Sequence, residues 1–184
     1  MNTIYVTGVA GTGKSLVAQQ LRTEGWVSLD LDGVEGLCSW RDKQTQVTVE
    51  YSSGSGRAWL ETHEYVCDRH QLEHLMQAQA GNRPIAVLGW IANQTEWLDL
   101  FDTIILLSVD PQILAQRLRT RTSNDFARDP SELAFVLDSK EPFERSMIKN
   151  GAIVGDASQP IEGVVIDILT ASHPPPHRYR HDSR

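Results

Sequence analysis

Eight consecutive residues near the start of the chain have the types and spacing of a phosphate-binding loop. They are Gly8-Val9-Ala10-Gly11-Thr12-Gly13-Lys14-Ser15, which match the pattern G-x-x-x-x-G-K-[ST]. Glycines let such a loop wrap around a phosphate chain with its backbone N–H groups pointing inward. The pattern predicts that Lys14 reaches the β- and γ-phosphates of a nucleotide and that Ser15 binds Mg²⁺. We expect these residues and the following Leu16 to form a nucleotide phosphate site.

Two carboxylates and a group of arginines could complete the chemistry of this site. Asp30 and Asp32 follow a short apolar segment, and four arginines lie at positions 117, 119, 121 and 128. On a helix, Arg117 and Arg121 lie on one face, whereas Arg119 points elsewhere and is expected at the surface. A basic face of this kind suits the charge that develops during phosphoryl transfer. No acidic residue follows Leu88-Gly89-Trp90, where many ATPases place a metal-organising carboxylate.

The elements that must position these residues alternate between strands and helices. Apolar segments predict strands over residues 3–7, 26–29, 84–88, 103–109 and 152–154, with a possible further strand over 46–51. Helices are predicted over 14–24, 58–80, 95–100, from Pro111, over 131–150 with Ser131 as cap, and over 161–169. This alternation predicts an α/β fold with a parallel, doubly wound sheet. Its ligands should bind at the carboxyl ends of the strands, so Asp30 and Asp32 should lie near the phosphate loop.

Composition narrows the class of protein further. The chain has 184 residues, of which 40% are hydrophobic, and this is enough for a single domain with a substantial core. A net charge of −7 argues against a non-specific nucleic-acid binder. We expect no membrane span, because no apolar run approaches about 20 residues, and no signal peptide, because a strand begins at Thr3. Cys38 and Cys67 are expected to be free thiols in a reducing cytoplasm. The oligomeric state is not determined by these features.

With these motifs, the sequence resembles the P-loop small-molecule kinases, which include adenylate, thymidylate, shikimate and gluconate kinases. It is also similar to small kinase-like ATPases of the AAA family. The resemblance covers about residues 3–170 and implies a three-layer P-loop NTPase fold with five parallel strands in the order 2-3-1-4-5. It implies one kinase-like domain over residues 1–170 with a mobile lid at about 121–130. Residues 171–184, which are proline-rich from His173 onward, are predicted to be a disordered tail.

The resemblance also implies roles for individual residues. The Asp-x-Asp after the second strand is similar to that of shikimate kinases, which assigns Asp30 to the Mg²⁺ shell and Asp32 to the acceptor. The segment from Arg117 to Arg121 is similar to the R-x-x-x-R entry to the lid of nucleoside monophosphate kinases. Arg121, with Arg117 and Arg128, would then neutralise the transferred group. The stretch 155–160 is similar to an adenine-binding loop, which implies base contacts from Ala157, Gln159 and Pro160. Two features depart from the pattern of shikimate kinases. Lys140 stands where arginine is usual, and no double glycine follows Gly89.

The predicted activity is therefore transfer of the γ-phosphoryl group of ATP, with Mg²⁺, to a small acceptor. The acceptor could be a nucleoside, a nucleoside monophosphate or a small polyol acid. The alternative is a regulatory switch that binds ATP and hydrolyses it slowly without an acceptor. A GTPase is disfavoured because no N-K-x-D motif is present.

The acceptor region, residues 33–80, is the least interpretable part of the sequence. Arg41 or Arg57 could bind an anionic acceptor group there. Trp40, Trp59 and Trp90 could stack on a planar substrate or pack in the core. Asp30 could cap a turn, and Asp32 could be a solvated loop carboxylate.

Overall fold

The computed structural model describes residues 2–122 and 124–172. Its strands are β1 (Thr3–Thr7), β2 (Val27–Asp30), β3 (Cys38–Asp42), β4 (Thr48–Val49), β5 (His63–Cys67), β6 (Ile85–Gly89), β7 (Thr103–Ser108) and β8 (Ile153–Asp156). Its helices are α1 (Lys14–Thr23), α2 (Arg57–Thr62), α3 (Arg69–Ala80), α4 (Pro111–Thr120), α5 (Pro130–Lys149) and α6 (Ile161–Ser172). The first two residues of the predicted disordered tail, 171 and 172, belong instead to the end of α6. The rest of that predicted tail, residues 173–184, lies outside the described residues.

A five-stranded parallel sheet forms the centre of the fold. Its order is β2-β6-β1-β7-β8, which is the predicted 2-3-1-4-5 when only the strands of this sheet are counted. Alternate residues of β1 enter two separate cores: Ile4 and Val6 pack with α1, α4, α5 and α6, whereas Tyr5 packs with α3 and Trp97. Helices on both faces bury the central strands, as parallel sheets require. The predicted three-layer α/β fold is confirmed.

A second sheet, small and antiparallel, replaces part of a helix that the sequence predicts. Residues 58–80 form α2, β5 and α3 rather than one helix, and β5 pairs with β3 in a sheet of order β4-β3-β5. The prediction was wrong because strand pairing with β3 determines the conformation of His63–Cys67, whose partners lie far away in sequence. Asp68 then begins α3 as its N-cap, accepting a hydrogen bond from the Gln71 N–H.

Other boundaries differ from the predictions by smaller amounts. Asp129, not Ser131, caps α5, because its carboxylate accepts hydrogen bonds from the backbone N–H groups of Ser131 and Glu132. Residues 95–100 form parts of two short 3₁₀ turns rather than an α-helix. β8 begins and ends later than predicted. Asp110 caps α4 with Pro111 in its first turn, as predicted. None of the helices described is both long and apolar enough to cross a membrane.

Candidate active site

The phosphate loop connects the end of β1 to the start of α1, which is the position that a P-loop requires. Two of its glycines occupy positions where a larger residue would clash or strain the backbone. A Cβ on Gly8 would lie 2.6 Å from the Leu107 carbonyl oxygen, and Gly13, at φ 99°, precedes α1 in the left-handed region. Thr12 stabilises the loop, since its hydroxyl donates a 3.0 Å hydrogen bond to the Val9 carbonyl.

The Lys14 ammonium group lies inside the loop. Its Nζ donates hydrogen bonds to the carbonyl oxygens of Gly8 (2.6 Å) and Val9 (3.1 Å). Burial lowers the pKa of Lys14 to about 8, although the nearby carboxylates of Asp32 and Asp30 oppose this shift. A desolvated ammonium group held at the mouth of a loop is well placed to attract polyphosphate.

Ser15 and Asp30 lie together at the same end of the loop. The Ser15 hydroxyl donates a 2.8 Å hydrogen bond to Asp30 Oδ2, and both groups are accessible to solvent. A hydroxyl and a carboxylate are oxygen ligands of the kind that Mg²⁺ prefers, and Mg²⁺ usually keeps several waters and phosphate oxygens as its other ligands. The pair therefore fits a nucleotide-bound Mg²⁺. Within residues 2–122 and 124–172, no group of three or more His, Cys, Asp or Glu side chains could hold a metal without such ligands.

Asp32 lies in the 3₁₀ turn Leu31–Gly33 that follows β2, and it lines the cavity, whereas Asp30 does not. The residue keeps part of its surface exposed, while neighbouring protein atoms partly bury its carboxylate. This burial raises its pKa, an effect that Lys14 opposes, Asp30 strengthens and Arg121 opposes more weakly. Asp32 is therefore electrostatically coupled both to the phosphate-loop lysine and to the lid arginine.

Arg121 follows α4 directly, at the start of the predicted lid, and lines the same cavity as Lys14 and Asp32. Its guanidinium group donates to the Phe126 carbonyl. Its Nε is buried with no hydrogen-bond partner in the described part of the chain. Burial lowers the pKa of Arg121, and the neighbouring charge of Arg128 lowers it further. An incompletely satisfied guanidinium group facing the cavity is available to an anionic ligand.

The other arginines of the cluster differ in position. Arg117 lines the cavity, and its Nη2 donates a 2.9 Å hydrogen bond to the carbonyl of Ala157 in the predicted adenine loop. Arg128 forms a 2.6 Å ion pair with Asp125 and donates to the Arg121 carbonyl, and it does not line the cavity. The structure thus brings Arg117 and Arg121 to the cavity but not Arg128.

One cavity of about 1260 Å³ contains most of the predicted site. Of the predicted binding residues, those that line it are Ala10, Gly11, Thr12, Gly13, Lys14, Ser15, Leu16, Ala157 and Gln159. Gly8, Val9 and Pro160 do not line it, and Val9 is buried in the core beneath the loop. Ligand pockets usually enclose about 300–1,000 Å³, so this cavity is large enough for a nucleotide and a second ligand.

At the cavity's other end, the sequence identified Trp40 as a candidate but missed three further aromatic residues. Tyr51, Tyr65 and Phe126 line it, and the buried Glu132 supports it from behind by accepting a hydrogen bond from the Tyr51 hydroxyl. The pattern Asp129-Pro-Ser-Glu132 signals a helix start, but nothing local links Glu132 to Tyr51. Of the tryptophans, Trp40 and Trp90 line the cavity, whereas Trp59 packs on the edge of Trp40 without lining it.

Known proteins similar to this chain are P-loop proteins. Residues 4–135 match the family described as AAA domain. A shikimate kinase of Bacillus anthracis is 27% identical over 139 residues, which cover 74% of this chain and 78% of that protein. A shikimate kinase of Bacillus cereus is equally similar.

Solved structures show the same fold. A gluconokinase from Sinorhizobium meliloti is 19% identical, with 93% of this chain and 91% of that chain covered at a TM-score of 0.53. A deoxyadenosine kinase from M. mycoides with bound dATP is 13% identical, with 91% and 97% covered at a TM-score of 0.50. The predicted resemblance to P-loop small-molecule kinases is confirmed, and the substrates named for these proteins differ from one another.

Proposed function

Because the chain belongs to the AAA domain family and has the fold of the P-loop small-molecule kinases, we propose that it transfers the γ-phosphoryl group of ATP to a small-molecule acceptor. One observation carries this proposal: Lys14, Asp32 and Arg121 line a single cavity with room for two ligands. Phosphoryl transfer to a hydroxyl requires a cation that holds the phosphates, a carboxylate that can accept a proton and a second cation near the transferring group. Lys14, Asp32 and Arg121 would supply these three groups.

The nucleotide would bind along the phosphate loop. The backbone N–H groups of the loop and Lys14 would hold the phosphates, and Arg117 would position the loop around Ala157 beside the base. Ser15 and Asp30 would hold Mg²⁺. When bound, Mg²⁺ would neutralise charge on the phosphate oxygens.

Asp32 is the general base of the proposed reaction. The acceptor hydroxyl oxygen forms a bond to the γ-phosphorus while the bond from that phosphorus to the β,γ-bridging oxygen breaks. ADP leaves with the electron pair, and the hydroxyl proton passes to Asp32. A raised pKa supports this role, because a base is most effective when its pKa approaches the working pH.

Arg121 would stabilise the charge on the transferring group. Its cavity-lining position at the start of the predicted lid, residues 121–130, supports this role. Closure of the lid would exclude water and so favour transfer over hydrolysis.

A cytoplasmic location remains a prediction.

Measurement of ADP formation against a panel of metabolites tests the proposal. We expect at least one acceptor to raise the rate about tenfold or more above the acceptor-free rate, with the phosphorylated product detected by ³¹P NMR. Lys14→Ala should lower that rate at least about 100-fold in a folded protein, whereas the matched control Lys149→Ala, at an exposed helix end, should not. Equal ADP formation with and without every acceptor would instead favour the regulatory switch.

A further inference from the structure

The small antiparallel sheet presents an aromatic face to the end of the cavity away from the nucleotide site. Trp40 on β3 pairs directly with Tyr65 on β5 and with Val49 on β4, so these three side chains lie on one face. All three line the cavity, as does Cys38, two residues before Trp40 on the same strand. This wall is therefore apolar and aromatic, and each of these side chains is half-buried.

Rings from outside the sheet extend this wall. Tyr51 stacks on Trp40 with ring centroids 5.6 Å apart and planes 27° apart, and Phe126 meets Tyr51 edge to face at 5.7 Å. The Trp40 and Tyr65 rings are 5.3 Å apart. Because these rings pack against one another and line the cavity, they form a pre-organised surface against which a planar ligand ring can pack at little entropic cost.

The two arginines that the sequence suggested for binding an anionic acceptor are engaged in ion pairs. Arg41 forms a 2.9 Å ion pair with Glu64, and Arg57 forms ion pairs with Glu61 and Asp138; neither arginine lines the cavity.

The charge on this side of the cavity is instead mostly negative. Apart from the nucleotide-site residues Lys14, Arg117 and Arg121, Lys43 is the only lysine or arginine lining the cavity among the described residues, and its Nζ donates to the Glu61 carbonyl at 2.7 Å. Asp32, Glu50 and Glu64 line the same space, and of these three carboxylates Glu64 is paired with Arg41. Because Arg121 is assigned to the transferring phosphoryl group, a carboxylate or phosphate on the acceptor would lie near Asp32 and Glu50 with no further arginine, among the described residues, lining this end of the cavity.

We propose that the acceptor is a neutral hydroxyl compound with a planar aromatic ring, of which a nucleoside is the simplest form, and not a sugar acid or a nucleotide. This inference rests on the proposed function and specifies its substrate class. The ring stacks on the wall formed by Trp40 and Tyr65, and the hydroxyl group to be phosphorylated donates a hydrogen bond to Asp32. The transfer step is the one given above, with the proton passing to Asp32 and ADP leaving with the electron pair.

A competition between acceptor classes tests the inference on the full chain. The probes are five nucleosides, the neutral non-aromatic alcohols glucose and glycerol, the acids gluconate and shikimate, and the corresponding nucleoside monophosphates. We expect kcat/KM for at least one nucleoside to exceed that of every other class by about tenfold or more. Preference for an acid or a monophosphate would overturn the inference while phosphoryl transfer itself stands.

Direct binding separates the two proposals. Calorimetric titration of each probe, in the presence of a non-hydrolysable ATP analogue, reports the ligand class without turnover. Binding of a nucleoside without transfer would support the ligand class and overturn the proposed function. If no nucleoside binds, the inference is overturned.

Substitution of Trp40 tests the stacking surface. Trp40→Leu should raise KM for the nucleoside about tenfold or more, the usual cost of losing one stacking contact, with KM for ATP nearly unchanged. Trp40→Phe keeps a ring and should restore most of the affinity. If Trp40→Leu proves unfolded by circular dichroism, Tyr65→Leu with Tyr65→Phe gives the same comparison. Equal effects of the leucine and phenylalanine variants on KM for the nucleoside would contradict the inference.

Discussion

The Tyr51 hydroxyl donates a 2.9 Å hydrogen bond to Glu132 Oε1, joining two segments that lie 81 residues apart. Glu132 is fully buried at the start of α5, and its carboxylate also accepts hydrogen bonds from the backbone N–H groups of Gly56 (3.2 Å) and Ala127 (3.0 Å). Gly56 belongs to the same loop as Tyr51, whereas Ala127 belongs to the predicted lid. One carboxylate therefore couples the aromatic wall of the cavity to the lid.

Loss of this carboxylate should destabilise the protein. Glu132→Ala leaves a hydroxyl and two backbone donors without their partner, and we expect the free energy of unfolding to fall by about 2–5 kcal/mol. Tyr51→Phe removes only one of these hydrogen bonds and should cost about 1 kcal/mol. Urea denaturation measures both values. Glu141→Ala, which breaks an exposed ion pair with Arg145, is the matched control and should cost no more than about 0.5 kcal/mol; a similar loss in the control would contradict the role of Glu132.

Asp30→Asn should change the dependence on Mg²⁺ more than it changes nucleotide binding. The carboxylate lies beside the Ser15 hydroxyl, and a neutral amide is a weaker ligand for a hard divalent cation. We expect the Mg²⁺ concentration for half-maximal activity to rise about tenfold or more, while metal-free ATP affinity stays nearly constant. Titration of activity with Mg²⁺ and calorimetry in EDTA provide the two measurements. An unchanged Mg²⁺ titration would leave Asp30 as a turn-capping residue.

Arg121→Ala should reduce turnover far more than substrate affinity. Its charge is needed where negative charge develops during transfer, so kcat should fall roughly 10²–10³-fold while KM for ATP changes much less. Arg119→Ala, on the same chain segment but absent from the cavity lining, is the control. The fall in kcat of Arg121→Ala should appear only when the acceptor is present, because closure of the predicted lid depends on the acceptor. If Arg121→Ala forms ADP at the wild-type rate with every acceptor tested, Arg121 has no part in transfer.

The lowered pKa of Lys14 predicts how ATP affinity depends on pH. In the unfolded chain a lysine titrates near 10.4, whereas Lys14 titrates at about 8 in the folded protein. The unfolded chain binds more protons between these values, so the ligand-free protein should gain stability from this group as pH rises from about 8 to about 10. ATP requires the ammonium form, and its affinity should therefore weaken over the same interval.

Calorimetric dissociation constants for ATP between pH 7.5 and 9.5 test this dependence. Lys14→Arg provides the control, because an arginine remains charged throughout this range. We expect the wild-type dissociation constant to rise with pH and that of Lys14→Arg to stay nearly flat. Parallel curves for the two proteins would assign the pH dependence to another group.

The sequence alone was enough to predict the loop between β1 and α1 and most of the central sheet. The residues from Gly8 to Ser15 are consecutive, and the buried strands β1, β6 and β7 are largely apolar, so both features are encoded locally. The order of the strands followed from the resemblance, which the observed order β2-β6-β1-β7-β8 matches. The proximity of Asp30, Asp32 and Arg121 to the loop Gly8–Ser15 could be predicted because the carboxyl ends of parallel strands lie at one edge of the sheet.

Only the tertiary structure decided the aromatic end of the cavity. His63–Cys67 is a strand because β3 pairs with it, and Trp40 meets Tyr51 and Tyr65 through pairings and loop contacts between separate segments. The buried Glu132 accepts a hydrogen bond from Tyr51, which lies 81 residues away. Such contacts leave no periodic pattern, since each partner alone is compatible with a surface position, and it is the packing of segments distant in sequence that makes them into one wall.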